Sequence, residues 1–122
     1  MQSIEEFYHI KIKFVHQDEH ITNQNKYEIM FKVNEYFDGR VKSIAFENAG
    51  EPATIGVMSP GEYEFATSTV EYMTVTSGML TVLLPGESDW KDYKEGETFI
   101  VDKDTSFKVK VEEPTAYRCL YK

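Results

Sequence analysis

The chain has 122 residues, 41% of them hydrophobic, and a formal net charge of −8 at pH 7. This length can bury one hydrophobic core, so we expect one domain. The acidic balance argues against a nucleic-acid polymer as partner, because binding a phosphate backbone depends on clustered Lys and Arg. No apolar run reaches the ~18 residues that span a bilayer, and no signal-peptide pattern opens the chain. Cys119 is the only cysteine, so we expect no internal disulfide and a reducing, cytoplasmic location.

Residues 1–29 differ in composition from the rest of the chain. They contain neither glycine nor proline, and they hold all three histidines: His9, His16 and His20. Residues 3–6 have the pattern of a helix capping box, whereas residues 10–14 alternate like a strand, so a short helix and an added strand both stay open. On a helix, the last two histidines would share one face as a possible metal pair. Solvated side chains are the stronger interpretation, since acidic residues separate the two and no motif surrounds them.

Residues 30–122 contain short β-like runs separated by turn signals such as Asp38-Gly39 and Pro85-Gly86. The runs are rich in β-branched or aromatic residues. The predicted strands cover residues 41–47, 54–58, 63–67, 71–77, 79–84, 98–101, 107–111 and 116–121. Eight short strands without a convincing helix predict an all-β barrel or sandwich.

Residues 61–78 have the frame of a metal-binding motif: a glycine turn, an alternating strand, Glu71 and then Gly78. This frame resembles the first metal motif of cupin barrels, in which two histidines precede the glutamate. The positions that this spacing assigns to the histidines hold other residues: Phe65 and Thr67, or Glu64 and Ala66 in a longer variant. Residues 30–122 contain no histidine and only Cys119, so we expect no transition metal in this motif.

Glu71 therefore needs another role. On an alternating strand it shares a face with Met73 and Val75, which would place it at the rim of an apolar interior, facing a polar ligand. A position on the outer face, or a pairing with lysine, is an equally open alternative. Arg40 and Lys42 are the best local pair for an anion, although most such pairs are simply solvated.

Several segments of the chain together resemble one family. They are residues 34–44 (NEYFDGRVKSI), 56–58, 61–65, 71–78 (EYMTVTSG), 82–85, 89–90 and 113–117. Over residues 30–121 the chain resembles the small cupin-like bacterial family of pyrimidine/purine nucleoside phosphorylases. The resemblance implies a compact cupin-like antiparallel β-barrel. It also implies broad-specificity phosphorolysis, in which a purine or pyrimidine ribonucleoside and phosphate give free base and α-D-ribose 1-phosphate. A non-catalytic nucleoside- or sugar-binding protein is the alternative.

The resemblance supplies no catalytic motif, so the roles of single residues are hypotheses from chemistry. Breaking the glycosidic bond builds positive charge on the sugar, which a carboxylate can stabilise; Glu71 is the first candidate and Glu64 the second. Phosphate needs only to be positioned, and the candidates for this are Arg40, Lys42 and Thr67. A tolerant enzyme should hold the base by stacking, and the candidate platforms are Tyr63, Phe65, Trp90 and Tyr93.

Because the motif lacks its histidines, we expect no metal. We also expect no cofactor, with phosphate as the co-substrate of the reaction that the resemblance implies. We expect a homodimer, because an open barrel leaves edge strands that pairing would cover. We also expect the cupin-like barrel to occupy residues 30–122 and residues 1–29 to be an N-terminal extension. The extension either lies upstream of a native start at Met30 or is a genuine added strand or dimer arm.

Overall fold

The computed structural model describes residues 2–3, 13–16 and 27–122, and these residues form thirteen strands and no helix. No segment among them is therefore a helix of the length and hydrophobicity that a membrane crossing requires. In chain order the strands are β1 (Gln2–Ser3), β2 (Lys13–His16), β3 (Tyr27–Met30), β4 (Lys32–Tyr36), β5 (Val41–Asn48), β6 (Glu51–Met58), β7 (Gly61–Ala66), β8 (Glu71–Ser77), β9 (Met79–Leu83), β10 (Lys91–Lys94), β11 (Thr98–Val101), β12 (Ser106–Val111) and β13 (Thr115–Tyr121).

Two antiparallel sheets make up the barrel. The six-stranded sheet has the order β11-β8-β13-β6-β5-β4, and the five-stranded sheet has the order β1-β7-β12-β9-β10. One continuous cluster of buried apolar side chains draws on both sheets, so the sheets pack face to face. β1 joins the edge of β7 as a parallel strand, and β2 pairs with β3 in a separate two-stranded sheet. The all-β barrel expected from the sequence is thus confirmed.

All eight predicted strands are present, and the predictions 71–77 and 98–101 match β8 and β11 residue for residue. Two strands of the barrel, β4 and β10, were not predicted. Their sequences KVNEY and KDYK are rich in Lys, Asn, Asp and Glu, which have low strand propensity. They are extended because β5 and β9 supply their hydrogen-bond partners.

The alternation predicted for β8 is confirmed. Glu71, Met73 and Val75 are completely buried, whereas Tyr72 and Thr74 are partly exposed on the outer side. Successive side chains of a strand point to opposite faces, so this pattern defines an interior and an exterior for the whole sheet.

The exterior of the six-stranded sheet is apolar near β4, β5 and β6. Val33, Ile44, Ile55 and Val57 lie there with 41% or more of their surface exposed, and Phe31 adjoins them. We call these five residues the apolar outer face. Exposed apolar side chains this close together are typical of an interaction surface.

Only part of the range 1–29 lies among the described residues. His9 and His20 lie outside the described residues, so the metal pair with His16 stays a hypothesis. Residues 13–14 lie in β2, while residues 4–12 are outside the described part, so the choice between a short helix and an added strand stays open. The division of the chain at residue 30 also stays a prediction.

Candidate active site

The interior of the six-stranded sheet carries a buried carboxyl group. Glu71 has no exposed surface, which excludes the outer-face alternative. The thiol of Cys119, which is buried on β13, donates a hydrogen bond to Glu71 Oε1 over 3.6 Å. Tyr121 lies directly opposite Glu71 in the register of β8 and β13. The carboxyl group therefore faces polar side chains of the neighbouring strand inside the barrel.

Two buried tyrosines belong to the same interior. The Tyr121 hydroxyl lies 3.0 Å from Thr54 Oγ1 in a hydrogen bond. Burial raises the pKa of Tyr121 well above the ordinary 10.0, and Cys119 and Glu71 raise it further. Burial likewise raises the pKa of Tyr117. Both phenols therefore stay protonated at neutral pH, and each keeps an O–H group that can donate a hydrogen bond.

One of these tyrosines, Tyr117, belongs to a row of four residues that crosses four neighbouring strands. Asn34, Ser43, Gly56 and Tyr117 occupy successive positions on β4, β5, β6 and β13. Asn34 Nδ2 donates to Ser43 Oγ over 3.3 Å, and the Ser43 hydroxyl partly offsets the effect of burial on the pKa of Tyr117. A Cβ atom at Gly56 would lie 2.5 Å from Cζ and Oη of Tyr117. The missing side chain thus makes the space for the Tyr117 ring.

The five-stranded sheet contributes aromatic side chains to the interior. The rings of Tyr63, Phe65 and Phe107 line it, with centroids 6.2 Å apart for the first two and 5.6 Å apart for the last two. Phe37, from the turn between β4 and β5, packs on Tyr63 at 5.0 Å and on Phe65 at 5.6 Å. We call these four residues the aromatic wall. The interior therefore carries polar groups on one sheet and aromatic rings on the other.

The donor set of this site is poor in metal ligands. Among residues 2–3, 13–16 and 27–122, no three His, Cys, Asp or Glu side chains are grouped so that they could hold a metal ion. In this part of the chain, Glu71 and Cys119 are therefore a pair without a third such ligand.

The two basic candidates engage different partners. Arg40 is exposed in the turn before β5, where its Nε donates to the Phe37 carbonyl over 3.3 Å. Lys42 is exposed on β5 and forms an ion pair with Glu35 at 3.1 Å. Arg40 is thus the one of the two that adjoins the aromatic wall.

Thr67 and Glu64 are both engaged in hydrogen bonds. Thr67 Oγ1 donates to the Asp102 carbonyl over 2.6 Å and accepts from the Thr105 amide over 3.1 Å. The backbone amide of Thr67 donates to the Thr105 carbonyl over 2.8 Å, so this amide is not available to an anion. Glu64 is partly buried and accepts a hydrogen bond from Ser106 Oγ over 3.2 Å.

The predicted stacking platforms divide into two groups. Tyr63 and Phe65 are buried members of the aromatic wall. Trp90 instead lies beneath the ammonium of Lys110, 4.0 Å from the ring centroid, and Lys110 is on the exposed side of β12. Tyr93 is partly buried and packs on Phe99 at 4.8 Å, at the edge of the core.

Several polar residues of the interior were not among the sequence candidates. They are Asn34, Ser43, Thr54, Tyr117 and Tyr121. The alternation of the last strand did contain a signal, since residues 117, 119 and 121 fall on one face of it. No sequence signal joined that strand to β4 and β5.

Comparison with known proteins identifies the family. The sequence profile described as "pyrimidine/purine nucleoside phosphorylase" matches residues 31–121. Proteins of that name from Alcanivorax borkumensis and Pseudomonas aeruginosa are 63% and 57% identical to this chain over 92 and 93 residues. The matched regions cover 75% and 76% of this chain, and 98% and 100% of the two relatives.

Solved structures agree with this assignment. A protein of unknown function from Vibrio parahaemolyticus superposes with a TM-score of 0.74 at 46% identity, over 76% of this chain and 99% of that one. An RmlC-like cupin from Shewanella frigidimarina superposes with a TM-score of 0.61 at 18% identity, over 75% of this chain and 83% of that one; this likeness supports the fold alone. Because the profile covers every strand from β4 to β13, the chain belongs to the pyrimidine/purine nucleoside phosphorylase family.

Proposed function

We propose that this protein transfers the pentosyl group of purine and pyrimidine ribonucleosides to phosphate and releases the free base. The observation that supports this most is the family match over residues 31–121. That range contains the interior carboxyl group and the aromatic wall. A nucleoside has a hydroxylated sugar, which polar side chains can bind, and a flat heterocycle, which aromatic side chains can bind.

The reaction needs one bond to form and one to break. A phosphate oxygen bonds to C1′ of the ribose as the C1′–N bond breaks. The base leaves with the electron pair and takes up a proton, which balances the proton that hydrogen phosphate loses on becoming the phosphate monoester. Attack opposite to the leaving base gives the α-anomer of ribose 1-phosphate. Positive charge develops on the sugar ring in the transition state, as in glycoside hydrolysis.

We assign the stabilisation of that charge to Glu71. Its carboxyl group is fully buried, and electrostatic attraction is stronger in a water-excluded interior than in solvent. The neutral phenols of Tyr117 and Tyr121 can donate hydrogen bonds to sugar or phosphate oxygens. Glu64 stays the second candidate, although it is partly exposed on β7, where it accepts a hydrogen bond from Ser106.

For phosphate, Arg40 is the first candidate, because it is exposed and adjoins Phe37. A guanidinium group can bind phosphate through two parallel hydrogen bonds. Lys42 ranks below it because its ammonium is paired with the Glu35 carboxylate. Thr67 ranks below it because it is buried and bonded to Asp102 and Thr105.

The function is tested by incubating the purified protein with inosine or uridine, with and without phosphate. We expect hypoxanthine or uracil and ribose 1-phosphate only when phosphate is present. Nucleoside binding without phosphate-dependent turnover would instead support the non-catalytic alternative.

We further propose that the reaction is metal-independent, given the donor set described above. Turnover should therefore survive exhaustive chelation, and its loss and recovery on adding a metal would contradict this.

We also propose that the protein is a homodimer that buries the apolar outer face. Val33 and Val57 are 61% and 50% exposed, and apolar residues cluster in the centres of subunit interfaces. Replacing Ile44 by Lys should weaken dimerisation by roughly tenfold or more, as expected for a central interface residue. Sedimentation velocity across a concentration series measures this. Thr76→Lys, at an exposed position of β8 outside the apolar outer face, is the control, and a monomeric wild-type protein would contradict the proposal.

A further inference from the structure

The turn that joins β4 to β5 has an unusual backbone. It consists of residues 37–40, and it is closed by hydrogen bonds from the Gly39 amide to the Tyr36 carbonyl at 3.1 Å and from the Arg40 amide to the Phe37 carbonyl at 3.2 Å. Three consecutive residues have positive φ angles: Phe37 at 52°, Asp38 at 56° and Gly39 at 83°. The chain is therefore left-handed over a whole turn.

Left-handed geometry suits two of these residues and not the third. Glycine adopts it freely, and aspartate tolerates it through local hydrogen bonding. Phenylalanine does not, because its Cβ crowds the following carbonyl oxygen. Backbone strain of this kind concentrates at ligand clamps and active sites, where the surrounding structure enforces it. A glycine at position 37 would relieve the strain but would remove the ring.

The strained turn places the ring of Phe37 against the other rings of the aromatic wall. Phe37 extends the aromatic wall, with its ring tilted 45° to Tyr63 and nearly perpendicular, at 81°, to Phe65. Tyr63 and Phe65 are buried, whereas Phe37 is only partly buried. Phe37 is thus the member of this trio that reaches the surface, where a ligand can meet it.

We infer that Phe37 stacks on the nucleobase of the substrate and sets the tolerance for different bases. This inference rests on the proposed function. Stacking uses the π-face that every base possesses, so it holds purines and pyrimidines without reading their edges. Arg40, in the same turn, would lie beside the bound nucleoside, on the side of the phosphate.

Kinetics of three variants test the inference. Phe37→Leu keeps an apolar side chain but removes the ring, and we expect KM to rise about tenfold with kcat little changed, as for lost stacking. The rise should be larger for inosine than for uridine, because a purine has the larger stacking area. Phe37→Tyr keeps the ring and should retain KM. Tyr72→Leu, which removes a partly exposed ring from the exterior of β8, is the matched control.

A binding measurement keeps the inference testable if Phe37→Leu is unstable. The Phe37→Trp variant has one more tryptophan than the wild type and should fluoresce more strongly. Addition of inosine without phosphate should quench this additional fluorescence. An unchanged fluorescence spectrum, or an unchanged KM in a folded Phe37→Leu protein, would overturn the inference. The proposed function would still stand in that case, provided that the wild type turns over nucleosides. Failure of the wild type to bind or cleave nucleosides would instead remove the proposed function.

Discussion

Replacing Glu71 by Gln should lower kcat for inosine phosphorolysis by roughly 10²–10³-fold, the usual loss when one preorganised electrostatic group of an active site is removed. Gln has nearly the same shape but lacks the charge that stabilises the developing cation on the sugar. Since the interaction is made mainly in the transition state, kcat/KM should fall by a similar factor. Steady-state kinetics with saturating phosphate measure both quantities.

Two further variants make this experiment specific. Glu62→Gln removes a carboxylate from an exposed position of β7 and should leave the rate near that of the wild type. Glu64→Gln tests the second candidate directly. If it abolishes turnover while Glu71→Gln retains it, the assignment to Glu71 is wrong. Circular dichroism must show that each variant keeps the β fold, because Glu71 is fully buried.

Replacing Gly56 by Ala should reduce the free energy of unfolding by about 1–3 kcal/mol, the usual cost of overpacking a core. The new Cβ would lie 2.5–2.6 Å from the Tyr117 ring, which is completely buried and cannot move into solvent. Urea or guanidinium denaturation followed by tyrosine and tryptophan fluorescence measures the change. A shift of the Tyr117 hydroxyl away from Ser43 should accompany it.

A double-mutant cycle separates this overlap from the ordinary effect of alanine in a strand. Tyr117→Leu removes the ring atoms that the new Cβ would meet, so most of the cost of Gly56→Ala should disappear in that background. Equal costs in the two backgrounds would show that Gly56 does not make the space for Tyr117.

Much of the barrel could be predicted because strand formation has a local signature. The alternation of β8 and β12 follows from side chains two residues apart, and the same pattern placed Glu71 on the face of Met73 and Val75. β4 and β10 escaped prediction because their charged residues carry no such signature. Their neighbours in the sheet determine their conformation.

Single candidate residues were harder to place from the sequence. Trp90 and Phe65 are equally good stacking platforms by residue type, yet one lies under Lys110 outside the barrel and the other inside it. Thr67 had the chemistry of an anion binder, but its hydroxyl and amide are used to hold Asp102 and Thr105. Residue type defines what a side chain can do, and packing decides what it meets.

The sequence by itself determined three properties of this protein. They are an all-β barrel, a strand face shared by Glu71 and apolar residues, and a barrel segment without histidine; each can be read from composition or from near neighbours along the chain. Only the tertiary structure gathered Asn34, Ser43 and Tyr117 into one row and set the Tyr117 ring over Gly56. The register between strands far apart in sequence produces these contacts, and register depends on the packing of the whole sheet.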